Sequence, residues 1–303
     1  MENVNDAMKD FFLNRQVEFE KLIQETLDDL EVREFLKENK LSDEEIQRSY
    51  SKLFEFVREK KKYEENDHET QFASGYRPRL IMNHHYVDVS YQPTQETIAR
   101  EKMRLIQSRI QTMNIPKDVR IATMQEIYTT PNRQGVFYKM KEFLSAYQTK
   151  EYHKGLYIYG SFGIGKTYIL GAIANELAKN GTSTTMLHFP TFAEEMKDAI
   201  NEEGLVKKKL DSIKKVEILM LDDIGAETMS AWIRDSILGI ILEYRMQEQL
   251  PTFFTSNQSF EKLEEHLSFT SKGDIEPLKA KRLMERVRYL AQEVKMDGKN
   301  LRN

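Results

Sequence analysis

Residues Gly160, Ser161, Phe162, Gly163, Ile164, Gly165, Lys166 and Thr167 follow the spacing GxxxxGK[ST]. Glycines at these positions let backbone N–H groups curl around an anion, and a lysine and a hydroxyl follow at once. An apolar run, Leu156 to Tyr159, precedes the loop and reads as a buried strand. An amphipathic helix from Tyr168 to Asn180 follows it, with Gly181 at its C′ position. In this strand–loop–helix context the helix dipole adds to the attraction for the β- and γ-phosphates of a nucleoside triphosphate. Lys166 reaches the phosphate oxygens and Thr167 joins a Mg²⁺ shell. The expected ligands are therefore a nucleoside triphosphate and Mg²⁺.

Further downstream, Val216 to Leu221 is an apolar strand that ends in Asp222 and Asp223. Asp222 is placed to hold Mg²⁺, mostly through water, and Asp223 to polarise an attacking water. Glu227 is either a reserve candidate for that base or a solvated loop acid. A third apolar run, Thr252 to Thr255, leads through Ser256 to Asn257. The Asn257 carboxamide either orients the lytic water or serves as a turn residue. Arg282 and Arg286 stand four apart on a helical stretch and so share a face. They suit an arginine finger offered to a neighbouring subunit, and equally a basic helix that contacts DNA phosphates or solvent. Lys207, Lys208 and Lys209 form a short run with the same two readings, DNA contact or solvated face.

The elements that must carry these residues alternate from 156 onward. Apolar strand segments at 156–159, 184–188, 216–221, 252–255 and near 289–294 are separated by helical patterns. Continuously apolar strands with helical crossovers imply a parallel, three-layer α/β core. The first ~60 residues read as helices, with Phe12, Phe19, Ile23, Thr26 and Leu30 on one face. Ser42 and Glu45 form a capping-box pattern, stapled by Leu41 and Ile46. Residues 79–82 and 86–91 read as a hairpin around Asn83, His84 and His85. A connector helix is expected from Gln95 to Met113, and another helix from Phe137 to Tyr147. The expected division is 1–94, 95–135 as connector and lead-in, and 136–303 as the nucleotide domain.

Composition narrows the classes. A chain of 303 residues with 40% hydrophobic and 31% charged residues has room for two domains. Its net charge of −4 argues against nucleic-acid coating over the whole surface, although the stretch from Lys279 onward is locally basic. No run approaches the ~18 apolar residues of a membrane span. The absence of cysteine removes disulfides, thiolate zinc sites and cysteine nucleophiles. The expectation is a cytoplasmic protein with no membrane partner.

Taken as a series, the segments GSFGIGKT, ILMLDDIGAE, FFTSN and AKRLMERVR resemble the AAA+ ATPases of bacterial replicative-helicase loaders, the DnaI and DnaC proteins. The helical N-terminal region and the stretch Asp297 to Asn300 are similar to the DnaI branch. The resemblance spans essentially the whole chain and is strongest over 155–303. It implies a C-terminal P-loop AAA+ core behind a mainly helical N-terminal domain that grips a hexameric replicative helicase. It further implies binding to single-stranded DNA, other primosome proteins as partners, and self-assembly when loaded. By this resemblance the triphosphate is ATP, held by Gly160 to Thr167 with Tyr168 beside them. Asp222 and Asp223 match the acidic strand end, Asn257 the sensor, and Arg282 or Arg286 the finger, with Arg286 preferred.

Three departures from the family pattern bear on function. Many AAA+ proteins have Asp-Glu where this chain has Asp222-Asp223, so slow hydrolysis by the isolated protein is expected. DnaI-type proteins can hold zinc through a Cys/His cluster in the N-terminal domain, whereas that region here has no cysteine and only His68, His84 and His85, so zinc is not expected. Fewer than ten residues follow the strand near Val294, so no helical lid is expected, with Arg302 as its one conceivable substitute. Two other functions share much of the pattern: a transposition helper ATPase, and a nucleotide-gated adaptor with negligible hydrolysis. The long helical N-terminus weighs against the first, and Asp223 at the base position favours the second. A small-molecule kinase fits Asn257 and the arginine helix poorly.

Overall fold

The computed structural model describes residues 18–65, 67, 70–127, 130–149, 151–271 and 273–301. Phe12, His68 and Arg302 lie outside them. The chain divides into two units, Met1–Met103 and Arg104–Asn303.

In the first unit, residues 18–28 are helical and are followed by α1 (Leu30–Glu38) and α2 (Asp43–Glu64). The single apolar face expected through Leu30 is interrupted. Asp29 accepts from the backbone N–H of Glu31 and Val32 and so caps a new helix, which leaves Leu30 72% exposed. The capping box forms as the sequence indicates: Ser42 Oγ accepts from Glu45 N, and Glu45 Oε2 accepts from Ser42 N at 2.9 Å. The strands β1 (Tyr76–Asn83) and β2 (Tyr86–Pro93) make an antiparallel hairpin in which Asn83 pairs with Tyr86. His84 takes φ 55° in its two-residue turn. Val32, Leu53, Phe56 and Val87 form the small core. Ser49 Oγ accepts from Val87 N at 2.9 Å, which ties α2 to the hairpin.

Helix α3 (Gln95–Ser108) stops five residues earlier than its sequence pattern suggests. Ile110–Met113 instead forms β3, an edge strand parallel to β5 (Thr184–His188). The β-branched Ile110 and Thr112 favour extended backbone, and pairing with β5 satisfies it. The other strands are β4 (Gly155–Tyr159), β6 (Ile218–Asp222), β7 (Thr252–Ser256) and β8 (Ala291–Lys295). All are parallel, in the order β3-β5-β6-β7-β4-β8.

Alternation along the central strands feeds two cores, one on each face. Leu156, Ile158, Ile218, Met220 and Phe253 join one apolar cluster, while Tyr157, Leu219, Leu221 and Phe254 join the other. Helices α4 (Lys117–Arg120), α5 (Gln134–Ala146) and α6 (Lys166–Lys179) contribute Val119, Val136, Met140, Leu170 and Ile173 to the first. The second is covered by α7 (Phe189–Asp198), α8 (Leu205–Lys214), α9 (Gly239–Gln247), α10 (Phe260–Ser268) and α11 (Pro277–Leu290). This is the parallel three-layer architecture that the alternating pattern requires.

Candidate nucleotide site

Strand β7 lies between β6 and β4 in the sheet. The residues that follow these three strands therefore emerge side by side at their carboxyl ends, where open α/β sheets place ligands. The phosphate loop follows β4, the acid pair closes β6, and Asn257 follows β7. Three segments spread over about 100 residues of sequence become one crevice, with a cavity of about 470 Å³ lined by Lys166, Thr167, Asp222, Asp223, Asn257 and His188 among others.

The loop is shaped by close approaches. A Cβ on Gly163, whose φ is +72°, would lie 2.0 Å from Asn300 Oδ1, and one on Gly160 would lie 2.0 Å from the Met296 carbonyl oxygen. Ile164 is buried beneath the loop, whereas Ser161 and Phe162 are exposed. Lys166 is buried, and its Nζ donates to Gly160 O at 2.9 Å, Ser161 O at 2.8 Å and Asn257 Oδ1 at 2.7 Å. The cation thus sits among oxygen acceptors inside the loop, ready to exchange carbonyls for phosphate oxygens. Tyr168 is half-buried beside the loop and lines the cavity, and its hydroxyl donates to Glu126 at 2.7 Å.

Thr167 Oγ1 donates to Asp222 Oδ1 at 2.8 Å, and Thr255 Oγ1 donates to the same oxygen at 2.6 Å. Burial pushes the Asp222 carboxyl above its ordinary range, and these two hydrogen bonds work against that rise. A hydroxyl and a carboxylate oxygen side by side are the hard donors that a Mg²⁺ ion prefers, so this pair fits the ion. Asp223 has φ 60°, a left-handed conformation that is uncommon outside glycine and that gathers at functional positions. Its N–H donates to Thr255 Oγ1 at 2.9 Å, and its Oδ1 accepts from Asn257 Nδ2 at 3.0 Å. His188, at the end of β5, brings Nε2 to 4.0 Å from Asp223 Oδ2 and sets Nδ1 2.8 Å from Thr191 Oγ1. Sequence reading passed over His188; its position one strand away from Asp222 was visible only in the register.

Other candidates separate from this cluster. Glu227 is 5% exposed and its Oε2 accepts from Gly225 N, so it braces the turn after the acid pair and does not line the cavity. Burial raises its carboxyl to about 7. Arg286 is held within its own chain, donating to Gly239 O at 3.1 Å and pairing with Glu243. Arg282 is exposed on the same helix, so the two arginines that share spacing differ in setting. Lys207 and Lys208 are exposed on α8, whereas Lys209 pairs with Glu195 at 3.1 Å. His85 faces Glu45 at 3.7 Å, and among the described residues no three His, Cys, Asp or Glu groups converge to hold a metal ion. No helix among the described residues is long and apolar enough to cross a membrane.

Comparison with known proteins identifies this arrangement. Residues 1–91 match the family model described as Primosomal protein DnaI N-terminus, and residues 89–303 match that of the IstB-like ATP binding protein. The Replicative helicase loader DnaI of Bacillus subtilis (strain 168) is 38% identical over 296 residues, covering 95% of this chain and 94% of that protein. The chain belongs to the DnaI family. The Replicative helicase loader DnaC of Escherichia coli (strain K12) is 29% identical over 105 residues, 34% of this chain and 42% of its own. A crystal structure of DnaI superposes with a TM-score of 0.57 at 42% identity, covering 63% of this chain and 98% of the other. A crystal structure of the DnaC helicase loader gives 0.51 at 20% identity, covering 60% and 100%, which shows a shared fold. Within the DnaI family the site described above is that of a P-loop NTPase of the AAA+ kind.

Proposed function

We propose that this chain loads a hexameric replicative DNA helicase onto single-stranded DNA during primosome assembly, under the control of ATP binding and hydrolysis. The observation that carries the reading is the joining of Lys166, Asn257 and Asp223 by direct hydrogen bonds in a chain of the DnaI family. Mg²⁺ supplies charge neutralisation and orientation of the phosphates when bound. The protein's own groups do the rest. The glycine loop and Lys166 bind the phosphates, while Thr167 and Asp222 present oxygens to the ion. Asp223 takes the proton of the attacking water, and Asn257 holds that carboxylate in place. Arg282, exposed on α11, is offered to the γ-phosphate of a neighbouring copy.

We assign helicase binding to the N-terminal domain, residues 1–94, and ATP turnover to the ATPase domain, 136–303; 95–135 leads from one to the other and lends the sheet its edge strand β3. Lys207 and Lys208 contribute phosphate contacts to single-stranded DNA. The protein works in the cytoplasm, at the replicating chromosome.

Mixing the chain with its replicative helicase in ATP and in ADP, and reading the mass of the species formed, tests this directly. A complex in at least one nucleotide state is expected. No complex in either state would sink the loader reading. One observation favours a second reading, a nucleotide-gated adaptor: the base position carries Asp223, a carboxylate one methylene shorter than glutamate. Phosphate release stimulated by single-stranded DNA separates the two, because an adaptor shows none with or without DNA.

A further inference from the structure

Among the described residues, β8 is followed by a coil segment, 296–301, that runs along the phosphate loop. Met296 N donates to Tyr159 O at 2.7 Å, and Leu301 N donates to Gly163 O at 2.9 Å. Between these two bonds, Gly298 lies against the Arg133 guanidinium: a Cβ there would be 3.3 Å from Nη2. Arg133 in turn donates to Ile164 O at 2.7 Å, so the segment and the loop share a buried arginine. Asn300 fills the space that a side chain at Gly163 would need. The segment is built into the phosphate loop by backbone and side chain alike.

Leu301 marks where this leads. It lines the phosphate cavity and also a second cavity of about 350 Å³, and Gly165 and Tyr168 line both as well. That second space is walled by Ile127, Ile169, Tyr168 and Leu301, with Arg133 and Glu126 at its edge. Glu126 is already engaged by the hydroxyls of Tyr168 and Thr123. An apolar slot with few unused polar groups suits a flat nucleobase with its ribose. Leu301 is 52% exposed although it is clipped at its backbone. Its side chain is apolar surface held in position with nothing yet to cover it.

We propose that residues 298–301 are a nucleoside strap, in which Leu301 packs on the sugar and base of the triphosphate whose phosphates lie against Lys166. The inference rests on the nucleotide-binding reading and adds a specificity-determining residue to it. Because the strap is hydrogen-bonded to Gly163, seating the nucleoside also steadies the loop that holds the phosphates. Phosphate recognition and nucleoside recognition are then separable: Lys166 governs the first and Leu301 the second.

The test compares the full chain with Leu301→Ala and Leu301→Met, titrated calorimetrically with MgATP and with magnesium tripolyphosphate, which has the phosphates and no nucleoside. Since Leu301 is half exposed, both variants should melt with the parent protein. Leu301→Ala should bind ATP about tenfold more weakly and tripolyphosphate as before, while Leu301→Met should keep near-parental ATP affinity. Unchanged or tighter ATP binding in Leu301→Ala would overturn the strap, the tighter result marking Leu301 as an obstruction. A parallel loss for both ligands would also overturn it, because the loop alone would then be at fault. If the parent chain bound neither ligand, the nucleotide reading itself would fall, and the strap with it.

Discussion

Asp223 combines two features that seldom meet in one residue: a left-handed backbone and a carboxylate held by a carboxamide. The positive φ lets the chain leave β6 and turn its side chain toward Asn257. An aspartate adopts this conformation more readily than most residues. As the proposed base it is a short arm. Asp223→Glu should therefore raise the rate of phosphate release several-fold, and Asp223→Asn should lower it by about 100-fold while ATP still binds. Equal rates in all three proteins, read by a coupled phosphate assay, would remove Asp223 from the chemistry. Glu227, four residues on, makes a contrasting prediction about stability. Its carboxyl is raised from 4.5 to about 7 by burial, with the nearby Asp223 charge adding to the rise. Between those pH values the unfolded chain gives up a proton that the folded chain keeps. Stability should accordingly fall by up to about 3 kcal/mol as pH rises from 4.5 to 7, and level off above it. Denaturant melts of Glu227→Gln should lose that slope, and a slope left intact would assign it to other groups.

The strands that present these residues are anchored at their opposite ends by one side chain. Arg245 on α9 is fully buried, and its guanidinium donates to Thr252 Oγ1 and to the carbonyls of Lys214, Val216, Glu217 and Pro251. It ties the lead-ins of β6 and β7 together and so fixes the relative height of Asp222 and Asn257. Arg245→Met keeps much of the volume but strands several buried carbonyls, at a cost of at least about 3 kcal/mol. Differential scanning calorimetry should show a melting point lower by roughly 10 °C, and a shift under 2 °C would mean that water replaces the clamp. Nothing in the sequence distinguishes Arg245 from a surface arginine, because its partners are carbonyls brought in by the fold. The elements that were legible carry their own signals: the glycine loop, the apolar strands ending in Asp222 and Asn257, and the Ser42–Glu45 box. Those that were not depend on distant chain. Ile110–Met113 continued a helical pattern and became a strand only because β5 offers an edge. Arg286 matched Arg282 in spacing, and only packing against α9 revealed its contact with Gly239.

Among the described residues, Lys166 is the one lysine or arginine that lines the phosphate cavity. Lys166 is buried in the loop, Arg133 donates to Ile164 O beside Gly298, and Arg286 is engaged by Glu243 and Gly239. Arg282 is exposed on α11 and does not line the phosphate cavity. On the proposed reading, a second copy supplies from Arg282 the further positive charge that the γ-phosphate needs. Mixing variants tests this in a way that single variants cannot. Lys166→Ala keeps an intact Arg282 but cannot hold phosphate, and Arg282→Ala holds phosphate but offers no finger. Each alone, with helicase and single-stranded DNA present, should lose at least about tenfold in hydrolysis, a modest share of what arginine fingers contribute elsewhere. An equimolar mixture should recover activity, because the Lys166→Ala copy lends its Arg282 to the intact loop of the other. Recovery would make the assembly, and not the single chain, the unit that hydrolyses ATP. If both variants enter the assembly and the mixture does no better than the average of its parts, Arg282 acts within its own chain or not at all, and hydrolysis cannot report on the neighbour's presence.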